Sequence, residues 1–171
     1  MKIELRPFEA IRPEEVYELF QQIPREENGL NNNANGLSES EFASWFAKQI
    51  NNAKGADLPE GWVPCNQFVL FVDGVPVGRS KLHHWLNPAL ERHGGHIGYG
   101  IAQQFRGKGF GNIILAETLK QAKVLGLPKV LITVNDTNLP SWKVIEHNGG
   151  IMTEKISQPD GTLSRLYWIS L

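Results

Sequence analysis

The sequence predicts an α/β domain: one mixed, mostly antiparallel sheet flanked by about four helices. Three observations carry this reading. Gln67 to Val72 and Val75 to Trp85 have the two-residue period of strands and flank Asp73-Gly74, a pair that tolerates positive φ and so closes a hairpin. A strand, a glycine-rich loop, a helix and a second strand follow one another from His96 to Val134, the order of a crossover unit. Ile151 to Ile156 and Leu163 to Ser170 flank Pro159-Asp160-Gly161 as a last hairpin.

Ile3 and Leu5 alternate with Lys2, Glu4 and Arg6 as in a strand with one wet face, and Pro7 ends it. Pro13 suits a first helical position, and Val16, Leu19 and Phe20 line one face of a helix from Arg12 to Gln22. Arg25 to Gly36, rich in Asn and Gly, reads as a long loop of the kind usually kept for function. Ser38 to Glu41 forms a capping box ahead of Phe42, Trp45, Phe46 and Ile50, an aromatic stripe that suits core, or else one wall of a substrate pocket. His83 and His84 fall on opposite faces of the second hairpin strand. Asn87 to Gly94 is a connection, and His96 to Ala102 is a strand whose two glycines suggest a bulge or a close backbone approach. Leu115, Leu119, Ala122 and Leu125 share a helix face, with Gly126 and Pro128 as its stop. Lys129 to Val134 is apolar enough for a strand covered on both faces, parallel to the one before it, and a helix from Asn138 to His147 ends at Asn148-Gly149-Gly150.

A chain of 171 residues suits one domain, spanning residues 1–171. Its net charge is −1 with Lys and Arg dispersed, so no basic stripe is present to neutralise nucleic-acid phosphates. Cys65 is the single cysteine, which excludes an intramolecular disulfide, and no Cys/His spacing suggests a metal. No run approaches the roughly 20 apolar residues of a membrane helix, nor does the N-terminus resemble a signal peptide. A cytoplasmic protein without membrane contact is expected, as a monomer or as a homodimer formed through an edge strand near the C-terminus.

The stretch around Arg106-Gly107-Lys108-Gly109-Phe110-Gly111-Asn112 has the make-up of a phosphate cradle. Its glycines let the backbone approach a ligand, and the following helix offers free N–H groups with a partial positive charge. A Walker A loop needs Ser or Thr after Gly-Lys, where Gly109 stands. A dinucleotide turn needs a different glycine spacing and an acidic residue nearer than Asp136.

Arg106-x-x-Gly109-x-Gly111 resembles the coenzyme-binding signature of the GNAT superfamily of N-acetyltransferases, in particular one bacterial branch of predicted acetyltransferases. The resemblance runs from Ile97-Gly98-Tyr99-Gly100-Ile101 through the helix and strand to Asn135-x-x-Asn138-x-x-Ser141 and Gly149-Gly150. It implies that acetyl-CoA is cosubstrate, with no metal, and that the acetyl group passes directly to a primary amine of a small or amino-acid-like molecule. The alternative is a non-catalytic acyl-CoA-binding or regulatory module. The resemblance further implies a sheet splayed at the cofactor site, where main-chain groups of Ile101 and Ala102 meet the pantetheine arm and the thioester oxygen. It places the diphosphate on the N–H groups from Arg106 to Asn112, and Asn138 and Ser141 on the other side of the coenzyme.

For the proton of the attacking amine His96 is the first candidate base, because imidazole exchanges protons near neutral pH; a structural role is its alternative. Tyr99 and Asn135 are expected in the same cleft. The family's thiolate-protonating tyrosine is replaced by Ile145, leaving water, Tyr99 or His147 as candidates. Glu26 and Glu27 are placed either over the cleft, attracting a cationic amine, or on the solvated surface.

Overall fold

The computed structural model describes residues 1–171. Its strands form two larger sheets and one small hairpin. The first sheet has the order β1 (Ile3–Pro7), β4 (Cys65–Val72), β5 (Val75–His83) and β6 (Ile97–Ile101). The second has the order β7 (Lys129–Asn135), β9 (Leu163–Ser170) and β8 (Ile151–Ser157), and the hairpin pairs β2 (Glu26–Glu27) with β3 (Leu30–Asn31). The helices are α1 (Pro13–Gln22), α2 (Glu39–Ala53), α3 (Pro88–Arg92), α4 (Phe110–Val124) and α5 (Leu139–His147).

Every paired strand is antiparallel. The parallel pair expected from the order strand, helix, strand is therefore not a hydrogen-bonded pair, because β6 and β7 end up in different sheets. They meet at one point. The His96 N–H donates to Leu131 O at 2.7 Å, and the Leu131 N–H donates back to His96 Nδ1 at 2.9 Å. Beside that junction the Gly94 N–H donates to Thr133 Oγ1 at 2.7 Å.

The first sheet is buried on both faces, and β4 shows how. Val69 and Phe71 turn to a core shared with α1 and α2, while Leu70 and Val72 turn to a core shared with α4. The aromatic stripe of α2 belongs to the first of these. Phe46 stacks on Phe8 with ring centroids 4.0 Å apart, and Phe42 and Trp45 close on Phe20. α2 thus supplies core, and none of its residues lines the ligand cleft described below. On α4 the buried residues include Ile114, Leu115 and Ala122, but Leu125 is exposed, so the buried face is rotated from the expected one.

Between Arg25 and Gly36, expected as loop, lies the β2–β3 hairpin. Asn28 and Gly29, with φ of 51° and 81°, make its turn. The following asparagines finish α1. Asn32 Nδ2 donates to Phe20 O and Ile23 O, both at 2.8 Å, and Asn35 Nδ2 donates to Gln21 O at 2.9 Å. Carbonyls that a helix end leaves without partners are satisfied here from one asparagine-rich turn. Asn87 caps the short α3, with its Oδ1 accepting from the Leu90 N–H at 2.9 Å, where a plain connection was expected.

No bulge interrupts β6, whose five residues pair with β5 in continuous register; the register shifts instead at Val77 on β5, opposite Leu70 and Phe71, and at Thr153 on β8. The glycines of β6 answer to close approach. A Cβ on Gly100 would stand 2.9 Å from Leu30 Cδ2, and one on Gly98 3.2 Å from Leu30 Cδ1. The hairpin therefore rests its Leu30 on the glycine face of β6.

Gly95 marks the tightest contact of the junction. At φ of 59° a Cβ there would lie 2.3 Å from Leu131 O, a backbone atom that cannot swing aside. Gly95→Ala is expected to cost about 1–3 kcal/mol, as overpacking does. Urea unfolding with the wild-type midpoint would contradict it.

Candidate functional site

Where β6 and β7 part, a cleft of about 790 Å³ opens between the sheets. Its walls are β6, β7, the loop before α4, the start of α5, and residues Glu27 to Leu30 of the hairpin. The main chain of β6 is divided between two directions. The Ala102 N–H donates to Val77 O at 3.0 Å and the His83 N–H donates to His96 O at 2.7 Å. By the alternation of an antiparallel ladder, Gly98, Gly100 and Ala102 thus turn their main chain to β5, as His96 does with its carbonyl alone, and Tyr99 and Ile101 turn theirs to the cleft. Ala102, expected at the thioester, is fully buried with its N–H committed to Val77 and does not reach the cleft wall. Ile101 does, and its carbonyl accepts from Arg106 Nε at 2.9 Å.

The loop before α4 presents unpaired donors. The N–H groups of Gly107, Lys108, Gly109, Phe110 and Gly111 have no acceptor within the protein, whereas those of Arg106 and Asn112 bond to Gln103 O and Gly109 O. Gly109, at φ of 81°, caps α4 from the left-handed region, and no protein atom lies within 4 Å of where its Cβ would be. Asn112 adds a side-chain Oδ1 that is buried without a partner on the cleft wall. Lys108 turns away, its ammonium 5.7 Å from the Phe105 ring. The free donors and the helix start fit an anionic group such as a diphosphate; the Asn112 Oδ1, an acceptor, adds nothing to that.

Arg106 also reaches the hairpin. Its guanidinium holds the Glu27 carboxylate through Nη1 at 3.0 Å and Nη2 at 2.5 Å. This contact draws the Glu27 carboxyl below the usual carboxylate range. On the opposite wall, the Tyr99 hydroxyl donates to Ser141 O at 3.1 Å and lies 2.9 Å from Ser141 Oγ. Burial pushes the Tyr99 phenol up to about 12, so it keeps its proton at neutral pH. Asn138 precedes α5 with no hydrogen bond from its side chain to the helix, and Asn135 ends β7; both line the cleft.

His96, the first candidate for a base, is elsewhere. It is buried at the sheet junction, outside the cleft wall, with Nδ1 taken by the Leu131 N–H and its ring 6.4 Å from that of Trp168. Burial lowers its proton affinity. Its role is to join the sheets.

The histidine that does line the cleft is His93, which sequence reading passed over as part of a connection. A Cβ on Gly29 would stand 3.1 Å from His93 Cε1 and 3.9 Å from Asn135 Oδ1, which places imidazole, hairpin turn and Asn135 together. The available signal was two histidines three residues apart, His93 and His96, entering a strand that leads to a glycine loop. Ile145, at the family's tyrosine position, is fully buried core, and His147 is exposed outside the cleft.

A family model described as an acetyltransferase (GNAT) domain matches residues 2–151. Comparison with curated proteins gives no match. Among solved structures, the chain is similar to the ribosomal L7/L12 alpha-N-protein acetyltransferase RimL in complex with coenzyme A. Identity is 16%, covering 100% of this chain and 95% of that one, with a TM-score of 0.73. It is similar to yncA from Salmonella typhimurium with its cofactor acetyl-CoA, at 12% identity over 99% and 94% of the chains and a TM-score of 0.70. A chimera of the spermidine N-acetyltransferase SpeG from Vibrio cholerae and hSSAT gives 16% identity over 99% and 96% of the chains, with a TM-score of 0.68. At these identities the likeness is one of fold.

Three histidines make the fold sensitive to acid. Burial pushes His83 down to about 4 and lowers His84 and His96 as well, from an ordinary value of 6.5. The unfolded chain then binds more protons between these values, so this contribution is complete above about pH 6.5 and lost as pH falls toward 4. The urea midpoint is expected to drop over that interval, and less steeply in His83→Gln. Equal slopes in the two proteins would refute the assignment.

Proposed function

Because the chain belongs to the GNAT acetyltransferase family, we propose that its cleft binds acetyl-CoA and passes the acetyl group directly to the primary amine of a small acceptor. The supporting observation is the run of five unpaired N–H groups, Gly107 to Gly111, opening onto the place where β6 and β7 part. These donors would hold the diphosphate, while the N–H groups of Arg106 and Asn112 stay bonded within the loop. The exposed main-chain edge of Tyr99 and Ile101 would pair with the amides of the pantetheine arm as an added strand does. Asn138 and Ser141 would face the coenzyme from α5. Acetyl-CoA supplies an activated acetyl thioester.

The chain's own part is placement and proton handling. In the transfer the amine nitrogen bonds the acetyl carbon, the carbon–sulfur bond breaks, and the sulfur leaves with the electron pair. An acceptor ammonium sheds two protons overall; one ends on the sulfur and one in solvent. The free N–H of Ile101 is the main-chain donor nearest in role to an oxyanion stabiliser, in place of the committed Ala102 N–H. Tyr99, protonated and held against Ser141, would give its proton to the departing sulfur, standing in from the opposite wall for the phenol missing at Ile145.

Of the similar structures, SpeG is a spermidine acetyltransferase and RimL an alpha-N-protein acetyltransferase. A small amine suits this chain, whose hairpin covers the cleft from one side.

Calorimetry tests the reading: acetyl-CoA and free CoA are each expected to bind the folded protein, and no heat from either would overturn it. Gly109→Val forces a branched side chain into the left-handed region, which costs about 1–2 kcal/mol. At least a tenfold weaker acetyl-CoA affinity is expected, with an unchanged far-UV spectrum. Tyr99→Phe is expected to lower kcat at least tenfold with little change in KM for acetyl-CoA; wild-type kcat would remove Tyr99 from the mechanism.

A further inference from the structure

A second cavity, of about 410 Å³, opens off the far side of the cleft. It shares Gly29, His93 and Asn135 with the cleft, and no hydrophobic residue contributes to its wall. The two spaces meet at the hairpin turn and the end of β7, and no strand of the first sheet lines the second. Tyr99 projects toward α5 and the phosphate-binding loop, whereas Gly98 and Gly100 turn to the hairpin that roofs the second space. A coenzyme on the loop side leaves the hairpin side for whatever attacks it.

The chemistry of that space is one-sided. Glu26 on β2 and Asp160 in the turn between β8 and β9 contribute carboxylates, and Asn31, Gln158 and Thr162 contribute neutral polar groups. No lysine or arginine lines it, and neither carboxylate is engaged in an ion pair with one. Glu27, the neighbour of Glu26, is already spent on Arg106. Asp160 is fixed by its own turn, accepting from the Thr162 N–H at 2.9 Å and from Thr162 Oγ1 at 2.6 Å. Gln158 is fixed too, its Nε2 donating to Arg92 O at 3.0 Å and to Ser164 Oγ at 3.1 Å. At roughly 30 Å³ per water, the volume admits a molecule of about a dozen non-hydrogen atoms.

Resting on the acetyl-transfer reading, the geometry points to this cavity as the acceptor site, taking a small hydrophilic amine that carries a second positive charge, with His93 at the neck as proton acceptor for its reacting nitrogen. The second ammonium lies toward Glu26 and Asp160, so the first is directed through the neck to the cleft. His93 is the one imidazole on the wall of both spaces. His84 and His96 have ring nitrogens already bonded, to Asn66 and to the Leu131 N–H. Asp160 lines the same cavity as His93, so a carboxylate faces the space in which the ammonium gives up its proton. The proton then passes to solvent, and the neutral nitrogen keeps the lone pair with which it attacks.

The test compares 1,4-diaminobutane with n-butylamine, which differ chiefly in the second ammonium, at saturating acetyl-CoA. The diamine is expected to have at least a tenfold higher kcat/KM. Glu26→Gln/Asp160→Asn should bring the two values within about twofold by raising KM for the diamine, with acetyl-CoA affinity unchanged by calorimetry. Glu26→Gln alone, which leaves the Asp160 turn intact, should give part of that change. His93→Gln should lower kcat for the diamine at least tenfold while its KM stays within twofold. Equal or faster turnover of butylamine, no turnover of either amine by protein that binds acetyl-CoA, or a preference that survives the double variant would overturn the acceptor site. An unchanged kcat in His93→Gln would overturn the proton acceptor. Failure to bind acetyl-CoA at all is a different result, because it removes the acetyl-transfer reading itself.

Discussion

The structure depends on a two-way main-chain and side-chain bond at one residue. His96 gives its N–H to Leu131 O and takes the Leu131 N–H on Nδ1. A continuous sheet would carry β6 and β7 side by side along their length. Here the imidazole occupies the donor that a neighbouring strand's carbonyl would otherwise take, and Gly95 lets the backbone come against Leu131 without a Cβ. Beyond that point the strands separate, and both the ligand cleft and the free edge of β6 follow. An unpaired strand edge is ordinarily a liability. In this fold it lies inside a cleft, covered by the hairpin and α5, where a ligand with amides of its own can reach it.

Much of the architecture was legible because local chemistry dictated it. Asp73-Gly74 closes its hairpin with both residues at positive φ, Ser38 and Glu41 exchange the two bonds of a capping box, and the glycine loop leads into α4. What escaped notice depends on contacts between distant segments. The glycines of β6 suggested a bulge, but their reason is Leu30, some seventy residues earlier in the chain. The asparagines after Arg25 looked like loop composition, yet they serve the carbonyls of α1, and the Asn28-Gly29 turn lacked the alternating apolar flanks that identify a hairpin.

The site shows the same division. The phosphate-binding loop is a run of adjacent residues whose glycine spacing is its own signal. The histidines are not. His93 and His96 stand three residues apart, and sequence supplies no reason to prefer the one on the cleft over the one in the sheet junction. The deciding fact is Leu131, whose N–H takes His96 out of contention. Ile101 and Ala102 were equally indistinguishable until the β5 pairing fixed which of them faces outward.

The hairpin that roofs both spaces is held by contacts of unequal weight. The Glu27–Arg106 pair is part-exposed, and such pairs contribute about 0–1 kcal/mol. Leu30 resting on Gly98 and Gly100 adds apolar burial that would be lost if either glycine gained a side chain. The more demanding contact is Arg79. Its guanidinium is buried, lies 5.5 Å over the Phe20 ring and donates through Nη2 to Asn31 O. Burial lowers its value to about 10, still high enough for a full charge at neutral pH, and a buried charge without partners is expensive. Lifting β3 would strip away the carbonyl that this charge bonds. The cation under the hairpin therefore ties Asn31, and with it one wall of the polar cavity, to β5.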